Sequence, residues 1–235
     1  AYEIPKRDWN SDVCSSDLNC PLDLAPDEAH YWDWSRNLDL SYYSKGPLVA
    51  YLISLGTKLA GPFAESWNGN QMLAVRLPAV LCGSLFLLSL FELTVRVYKH
   101  PKLGLMVVLL ALTSPVVHAG SSLITIDSPY TCFWGWALVV AHQAIFRESQ
   151  WAWYVLGLLV GLGILAKYTM VLFVPFLGLY LAFHQTHRPL LLRPGYWVMC
   201  FVGALCCLPI IIWNFQNGWI TLKHVGGRSE EHTSE

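Results

Sequence analysis

Charged residues are scarce in this chain of 235 amino acids, where Asp, Glu, Lys and Arg together make up 13% and the net charge is −1. Ordinary soluble domains carry about 25% charged residues, so a soluble enzyme is a poor interpretation. Without a net basic charge there is no field to hold a phosphate backbone, and we expect no nucleic-acid partner. The scarcity of charge leaves long apolar segments as the dominant feature.

Motifs for metals, disulfides and nucleotides are also lacking. The seven cysteines form no CxxC pair and no Cys/His cluster with metal-ligand spacing. Five of them lie inside apolar runs, where cysteine behaves as a small hydrophobic residue. Neither a Walker pattern nor a dinucleotide-binding pattern is present. We therefore predict no metal ligands and no certain cofactor, and a requirement for a divalent cation stays open.

Long apolar runs are present instead, and 54% of the residues are hydrophobic. A run of about 20 apolar residues matches the thickness of a bilayer, and tryptophans at the edges of such runs fit aromatic belts. We predict an all-α fold: a polytopic transmembrane helical bundle of about six spans. The expected spans are 73–95, 103–119, 129–146, a hairpin of two short spans within 151–183 that turns near 166–168, and 195–213.

The rest of the chain divides around this bundle, which we place at residues 73–226. Residues 20–72 are of mixed character and predict an outer loop with short amphipathic interfacial helices, one near 31–38 and one at 47–60. Residues 1–19 are expected to be a non-native leader and 228–235 a non-native tail, because DWNSDVCSSDL at 8–18 and RSEEHTSE at 228–235 resemble translated sequencing-adapter read-through. A polar loop and a frayed tail are the alternative. We expect a fragment that is inactive by itself.

The short loops predict the orientation in the membrane. Loops 96–102, 147–150 and 184–194 contain six basic residues and lie on one side by alternation. The positive-inside rule assigns that side to the cytoplasm. Residues 21–70, Asp127, Lys167 and the segment after Trp213 then all face outward, so the unusual ionisable groups converge on one face.

Four of these sites could carry chemistry. The acidic pair Asp27 and Glu28 could supply a general base, or it could only complement the dipole at a helix start. Asp127 is a rim acid in an otherwise uncharged loop, which suggests a functional site, or it caps a helix before a proline. Lys45 and Lys167 interrupt apolar sequence and could bind a lipid phosphate or pyrophosphate, or their ammonium groups could extend to the headgroups.

Four segments resemble one family in the expected order. They are DEAHYWDWSRNLDLSYYSKGPLVAYLI, SSLITIDSPYTCFWGWAL, GLGILAKYTMVLFVP and IIIWNFQNGWITLKH, and together they cover roughly residues 20–226. The sequence is similar to the GT-C membrane glycosyltransferases, in the branch that contains protein O-mannosyltransferases and the bacterial lipid A aminoarabinose transferase. The acidic pair with its following tyrosine and the KGP turn are the specific part of the resemblance.

The resemblance implies an inverting enzyme that takes a sugar from a polyprenyl-phosphate donor. The acceptor would be a lipid, a glycan or a protein at the outer face of the bacterial inner membrane, with the site toward the periplasm or exterior. Asp27 would be the catalytic acid–base residue, with Glu28 beside it, and Asp127 the second acid. Lys45 and Lys167 would lie near the donor phosphate.

Two further residues of the first motif are implied in substrate binding. Tyr31 matches a tyrosine of the family motif, and His30 stands where the aminoarabinose transferase has an arginine. The His30 difference leaves the identity of the donor or acceptor open.

Two other functions are compatible with the residues. A transporter or flippase could use intramembrane acids and lysines as a substrate path, although it should show paired internal repeats. A non-catalytic membrane scaffold would use the acids as caps and the lysines as headgroup contacts.

Overall fold

A computed structural model of the chain describes residues 24–221, and the adapter-like strings at 8–18 and 228–235 lie outside this range. Regular structure in the described part is entirely helical, which confirms the all-α prediction. In chain order the α-helices are α1 (Pro26–Arg36), α2 (Leu48–Asn68), α3 (Met72–Tyr98), α4 (Pro101–Leu112), α5 (Pro115–Ser122), α6 (Asp127–Phe146), α7 (Gln150–Ala166), α8 (Phe173–Phe183), α9 (Pro194–Cys206) and α10 (Leu208–Gln216). Short 3₁₀ helices cover Tyr168–Leu172 and Arg188–Leu191.

Fewer helices reach the length of a membrane span than the six predicted. Within residues 24–221, α3 is the one helix that is long and apolar enough, and the number rises to three if two bent pairs each count as one span. These pairs are α4–α5, bent by 78°, and α9–α10, bent by 42°. The bends occur where Pro115 is the first residue of α5 and Pro209 the second residue of α10, because proline cannot donate the backbone hydrogen bond that would continue the preceding helix.

The predicted hairpin within 151–183 is present as two shorter apolar helices, α7 and α8. Helix α7 ends at Ala166, and Lys167 has extended backbone angles (φ −146°, ψ 125°). A 3₁₀ turn then leads into α8. The break thus falls inside the predicted interval 166–168, and it turns the Lys167 side chain out of the helical stack.

Helix α7 is central to the main core. It packs against both α6 and α9, and Leu156, Val160 and Met170 are fully buried there. A Cβ atom added at Gly157 would lie 2.7 Å from the carbonyl oxygen of Met199, so α7 and α9 approach backbone to backbone. Small residues at helix contacts permit this close approach.

Helices α1 and α2 lie within residues 20–72, where two short amphipathic helices were expected. Helix α2 exposes four large apolar side chains on one face, Leu55, Leu59, Phe63 and Trp67, at the four-residue spacing of a helical stripe. It extends beyond the predicted 47–60 to Asn68, although Pro62 lies inside it and cannot donate a backbone hydrogen bond to the preceding turn. Helix α2 ends at Gly69, whose φ of 70° favours glycine.

The helices alternate in direction, and this separates two ends of the molecule. Helices α3 and α6 both begin beside α1, and α7 ends there. We call this end of the molecule the site end. The basic loops lie at the opposite end, where Arg193 Nη1 is 2.9 Å from Glu148 Oε2 and Arg96 donates to Gln143 Oε1 at 3.2 Å.

Candidate functional site

Glu28 joins three segments at the site end. Arg76 of α3 donates to both of its carboxylate oxygens, from Nε at 3.1 Å and from Nη2 at 2.8 Å. The backbone N–H of Ile124 donates at 2.9 Å and that of Ala25 at 3.1 Å. The carboxylate therefore holds the start of α1, the start of α3 and the loop before α6 together.

The burial of Glu28 is complete, and its side chain has 0% exposure. Burial opposes ionisation, but the hydrogen bonds from Arg76, Ile124 and Ala25, together with the Arg76 charge, outweigh it and lower the pKa of Glu28. The sequence predicts a catalytic role for Glu28 beside Asp27. In the structure both of its oxygens already accept hydrogen bonds, which suits an anchoring carboxylate.

Arg76 was missed by the sequence analysis, which treated residues 73–95 as one apolar span. The available signal was a charged residue four positions after the start of α3. Such a residue needs a partner or a route to water. The partner is separated from it by 48 positions, so no local spacing rule could identify it.

Tyr31 connects the segments that carry Asp27 and Asp127. Asp27 precedes Tyr31 by four residues on α1, so both lie on the same helical face. Tyr31 is 5% exposed and packs against Ile124 and Ile126, directly before Asp127. Burial and the charges of Asp27, Asp127 and the Tyr43 hydroxyl raise the pKa of Tyr31 to about 12. Both carboxylates therefore act electrostatically on one buried phenol.

Asp127 and Lys167 form a second ion pair. Lys167 Nζ lies 2.6 Å from Asp127 Oδ1, and the two side chains are 34% and 54% exposed. The ammonium also lies 5.4 Å from the centre of the Tyr130 ring, one helical turn along α6. The extended backbone at Lys167 thus directs its charge to the start of α6, where Asp127 stands.

The KGP turn lies against the end of α7. A Cβ atom added at Gly46 would lie 2.0 Å from the carbonyl oxygen of Leu165, so a larger residue has no room there. Lys45 directly precedes Gly46 in the sequence, and Lys167 follows Leu165 by two residues. Within residues 24–221 no carboxylate lies within ion-pair distance of the half-buried Lys45.

His30 is part of an aromatic group on α1 and the following loop. Its ring lies 4.3 Å from that of Trp34, which stacks on Tyr42 at 4.2 Å. Burial lowers the pKa of His30, although Asp33 and Asp27 act in the opposite direction. Burial of the ring therefore favours the neutral form of the imidazole.

Helix α10 also contacts this loop. Trp213 Nε1 donates to Asp39 Oδ2 at 2.7 Å, and the Tyr51 hydroxyl donates to the Asp39 carbonyl at 2.7 Å. The fourth motif of the sequence is thereby brought to the site end. In the described residues no cluster of three His, Cys, Asp or Glu side chains could hold a metal ion.

The chain matches a family described as dolichyl-phosphate-mannose-protein mannosyltransferase over residues 44–213. It is similar to the lipid A galacturonosyltransferase RgtD of Rhizobium johnstonii, with 32% identity over 202 residues that cover 86% of this chain and 41% of the relative. It is also similar to the undecaprenyl phosphate-alpha-4-amino-4-deoxy-L-arabinose arabinosyl transferase of Pseudomonas aeruginosa, with 26% identity over 88% of this chain and 41% of the relative.

The chain thus spans about two fifths of the length of these curated relatives. No solved structure matches it.

Proposed function

Because this chain belongs to the dolichyl-phosphate-mannose-protein mannosyltransferase family, we propose that the whole protein transfers a sugar from a polyprenyl-phosphate donor to a lipid acceptor. The names of the relatives support both substrates, since one includes lipid A and another includes an undecaprenyl-phosphate sugar. The observation that carries the proposal is the packing of Tyr31, four residues after Asp27, against Ile126, which directly precedes Asp127, with Lys167 bound to Asp127.

Asp27 is the proposed general base. It is exposed at the start of α1, and a carboxylate within hydrogen-bond reach of a hydroxyl contributes about 10²–10⁴-fold by accepting its proton. The acceptor oxygen forms a bond to the anomeric carbon while the bond from that carbon to the phosphate oxygen breaks. The electron pair leaves with the polyprenyl phosphate, the proton passes to Asp27, and attack opposite the phosphate inverts the anomeric centre.

Lys45 and Lys167 are proposed to stabilise the charge on the leaving phosphate. Lysine binds phosphate as a point charge, and preorganised charges act strongly in a site that excludes water. Asp127 holds the Lys167 ammonium at 2.6 Å and places it at the site end. Tyr31 and His30 line the substrate side of α1, and Glu28 acts as a positioning residue through Arg76.

The proposed setting is the bacterial inner membrane, with about six membrane-crossing segments and the site toward the periplasm. The apolar helix α3, the two bent pairs and the basic loops at the far end support this orientation. The exposed apolar face of α2 would lie in the headgroup layer.

A transporter would place ionisable groups near the middle of its helices. Helix α3 has no charged residue between Arg76 and Glu92, and α7 has none along its length. This distribution favours chemistry at one end of the bundle over a path through it.

Asp27→Asn in the full-length protein tests the proposal. We expect transfer of labelled 4-amino-4-deoxy-L-arabinose or galacturonic acid from polyprenyl phosphate to lipid A to fall by about 10²–10⁴-fold, the usual effect of a general base. The matched control is Asp33→Asn on the same helix, which should retain activity. Equal activity in wild type and Asp27→Asn, with equal amounts in the membrane, would exclude Asp27 as the base.

A further inference from the structure

A cavity of about 450 Å³ lies on the other side of Asp127 from the bundle core. Its walls come from α3, α5, the loop after α5 and the start of α6. They are formed by Gly83, Phe86, Val116, Val117, Ala119, Gly120, Ser121, Leu123, Thr125, Asp127 and Thr131. No residue of the glycosyl-transfer mechanism proposed above lines this cavity except Asp127.

The polar residues of the cavity are grouped close to Asp127. Thr125 precedes Asp127 by two residues and accepts its backbone N–H at 3.3 Å. Thr131 lies one turn further along α6, and its hydroxyl donates to the Asp127 carbonyl at 2.9 Å. The Ser121 hydroxyl donates to the Val117 carbonyl at 2.7 Å. The hydroxyl protons of Ser121 and Thr131 are thus engaged, and their oxygens keep lone pairs that can accept hydrogen bonds.

The apolar residues of the cavity are Phe86, Val116, Val117 and Leu123. Phe86 lies about one turn beyond Gly83 on α3, away from the site end, and Val116 at the start of α5 is 80% exposed. The lining is therefore mainly apolar, with a few polar groups beside Asp127 and with Val116 beside the bent α4–α5 pair. A lipid with a small polar group and a larger apolar part matches this lining.

This cavity differs in charge from the space beside Lys45 and Lys167, where the donor phosphate is proposed to bind. No lysine or arginine lines it, whereas Lys167 approaches Asp127 from α7 and Lys45 lies against the end of α7. An anionic phosphate donor is therefore favoured on the α7 side. Asp127 stands between the two spaces, because its Oδ1 binds Lys167 while its side chain also lines the cavity.

We infer that this cavity between α3, α5 and α6 binds the acceptor, an amphipathic lipid whose hydroxyl-bearing headgroup meets Asp127 and whose apolar part lies against Phe86 and Val116. The inference rests on the proposed transferase function and adds where the lipid acceptor binds. The hydroxyl groups of the headgroup donate to Ser121, Thr131 and Asp127, and this brings one of them toward Asp27.

Gly120 allows the cavity to be filled without a clash. A Cβ atom added there meets no heavy atom within 4 Å, and Gly120 lies within α5. Gly120→Trp in the full-length protein should therefore fold normally and occupy the space. The matched control is Leu110→Trp on α4, a position that is 72% exposed and lies outside the cavity.

Two measurements test the inference. The first is transfer from a labelled polyprenyl-phosphate sugar to lipid A, compared with hydrolysis of the same donor by water. We expect Gly120→Trp to lower kcat/KM for lipid A by about tenfold or more, a loss of acceptor binding, with donor hydrolysis unchanged. The second is retention of labelled lipid A by the purified full-length protein in detergent, which Gly120→Trp should weaken and Leu110→Trp should not.

Unchanged retention of lipid A by Gly120→Trp would overturn the inference. Loss of donor hydrolysis in the same variant would also overturn it, because the cavity would then serve the donor. If wild-type protein transferred no sugar yet retained lipid A in a way that depended on Gly120, the transferase proposal would fail and the lipid site would stand.

Discussion

The Glu28–Arg76 pair and the Asp127–Lys167 pair lie at the same end of the molecule in different surroundings. Glu28 is 0% exposed and Arg76 is 18% exposed, while Asp127 and Lys167 are 54% and 34% exposed. Glu28 accepts four hydrogen bonds from three segments. Asp127 and Lys167 are joined by a single ion contact at 2.6 Å.

The difference shows how similar charges can serve two purposes. A buried pair loses much hydration, so it persists only when its hydrogen bonds are complete, and removal of one partner is strongly destabilising. An exposed pair contributes about 0–1 kcal/mol, so its charges can be exchanged with a substrate at little cost to the fold. Glu28 and Arg76 therefore suit assembly of the site, and Asp127 and Lys167 suit its chemistry.

The largest expected effect follows from breaking the buried pair. Arg76→Met leaves the Glu28 carboxylate buried without its cation, and we expect a loss of about 3–5 kcal/mol in the free energy of unfolding. Thermal unfolding of the full-length protein in detergent would measure it. The control is Arg193→Met, which breaks the exposed pair with Glu148 and should cost at most about 1 kcal/mol. Equal losses of unfolding free energy in Arg76→Met and Arg193→Met would show that the buried pair is no more important for stability than the exposed one.

The next effect concerns the exposed pair. Lys167→Met should lower kcat for sugar transfer by about 10²-fold, as removal of one preorganised stabilising group does, with little change in thermal unfolding. A double variant, Asp127→Lys with Lys167→Asp, gives a sharper test. It retains the ion pair but exchanges the positions of the positive and negative charges. Restored activity in the exchanged protein would mean that the pair acts only through its mutual attraction.

The smallest effect is a pH dependence of stability. The pKa of Glu28 lies below its ordinary value of 4.5 in the folded protein, so its ionised form contributes stability above about pH 4.5, and this contribution is lost as the pH falls through the lowered folded pKa. The difference in unfolding temperature between wild type and Glu28→Gln should therefore be constant near neutral pH and shrink in acid. A difference that grew in acid would contradict the assigned direction of the pKa.

The sequence was sufficient to predict that Asp27, Asp127 and Lys167 share one end. That result needs only the order of the apolar runs and the alternation of the loops between them. The pairing of Glu28 with Arg76 could not be predicted, because the partners are 48 positions apart and a single charge in an apolar run has several ways to be satisfied. The burial of the Glu28–Arg76 pair and the exposure of the Asp127–Lys167 pair follow from tertiary packing, which a local sequence pattern does not predict.

The prediction of six spans was limited by a similar cause. Hydropathy identifies the apolar runs but does not show where a run bends, so residues 103–119 were taken as one straight span. In the structure Ser114 precedes a new helix that starts at Pro115, and the axis turns by 78°. The cavity beside Asp127 depends on this bend and was therefore not foreseen.

The contact between Gly46 and Leu165 sets a spacing that side chains cannot alter. Since two backbones touch there, the segments that carry Lys45 and Lys167 keep their separation when neighbouring apolar residues change. The reach of the two lysine side chains toward each other is therefore set by the backbone, and a bulkier residue at Gly46 would change it.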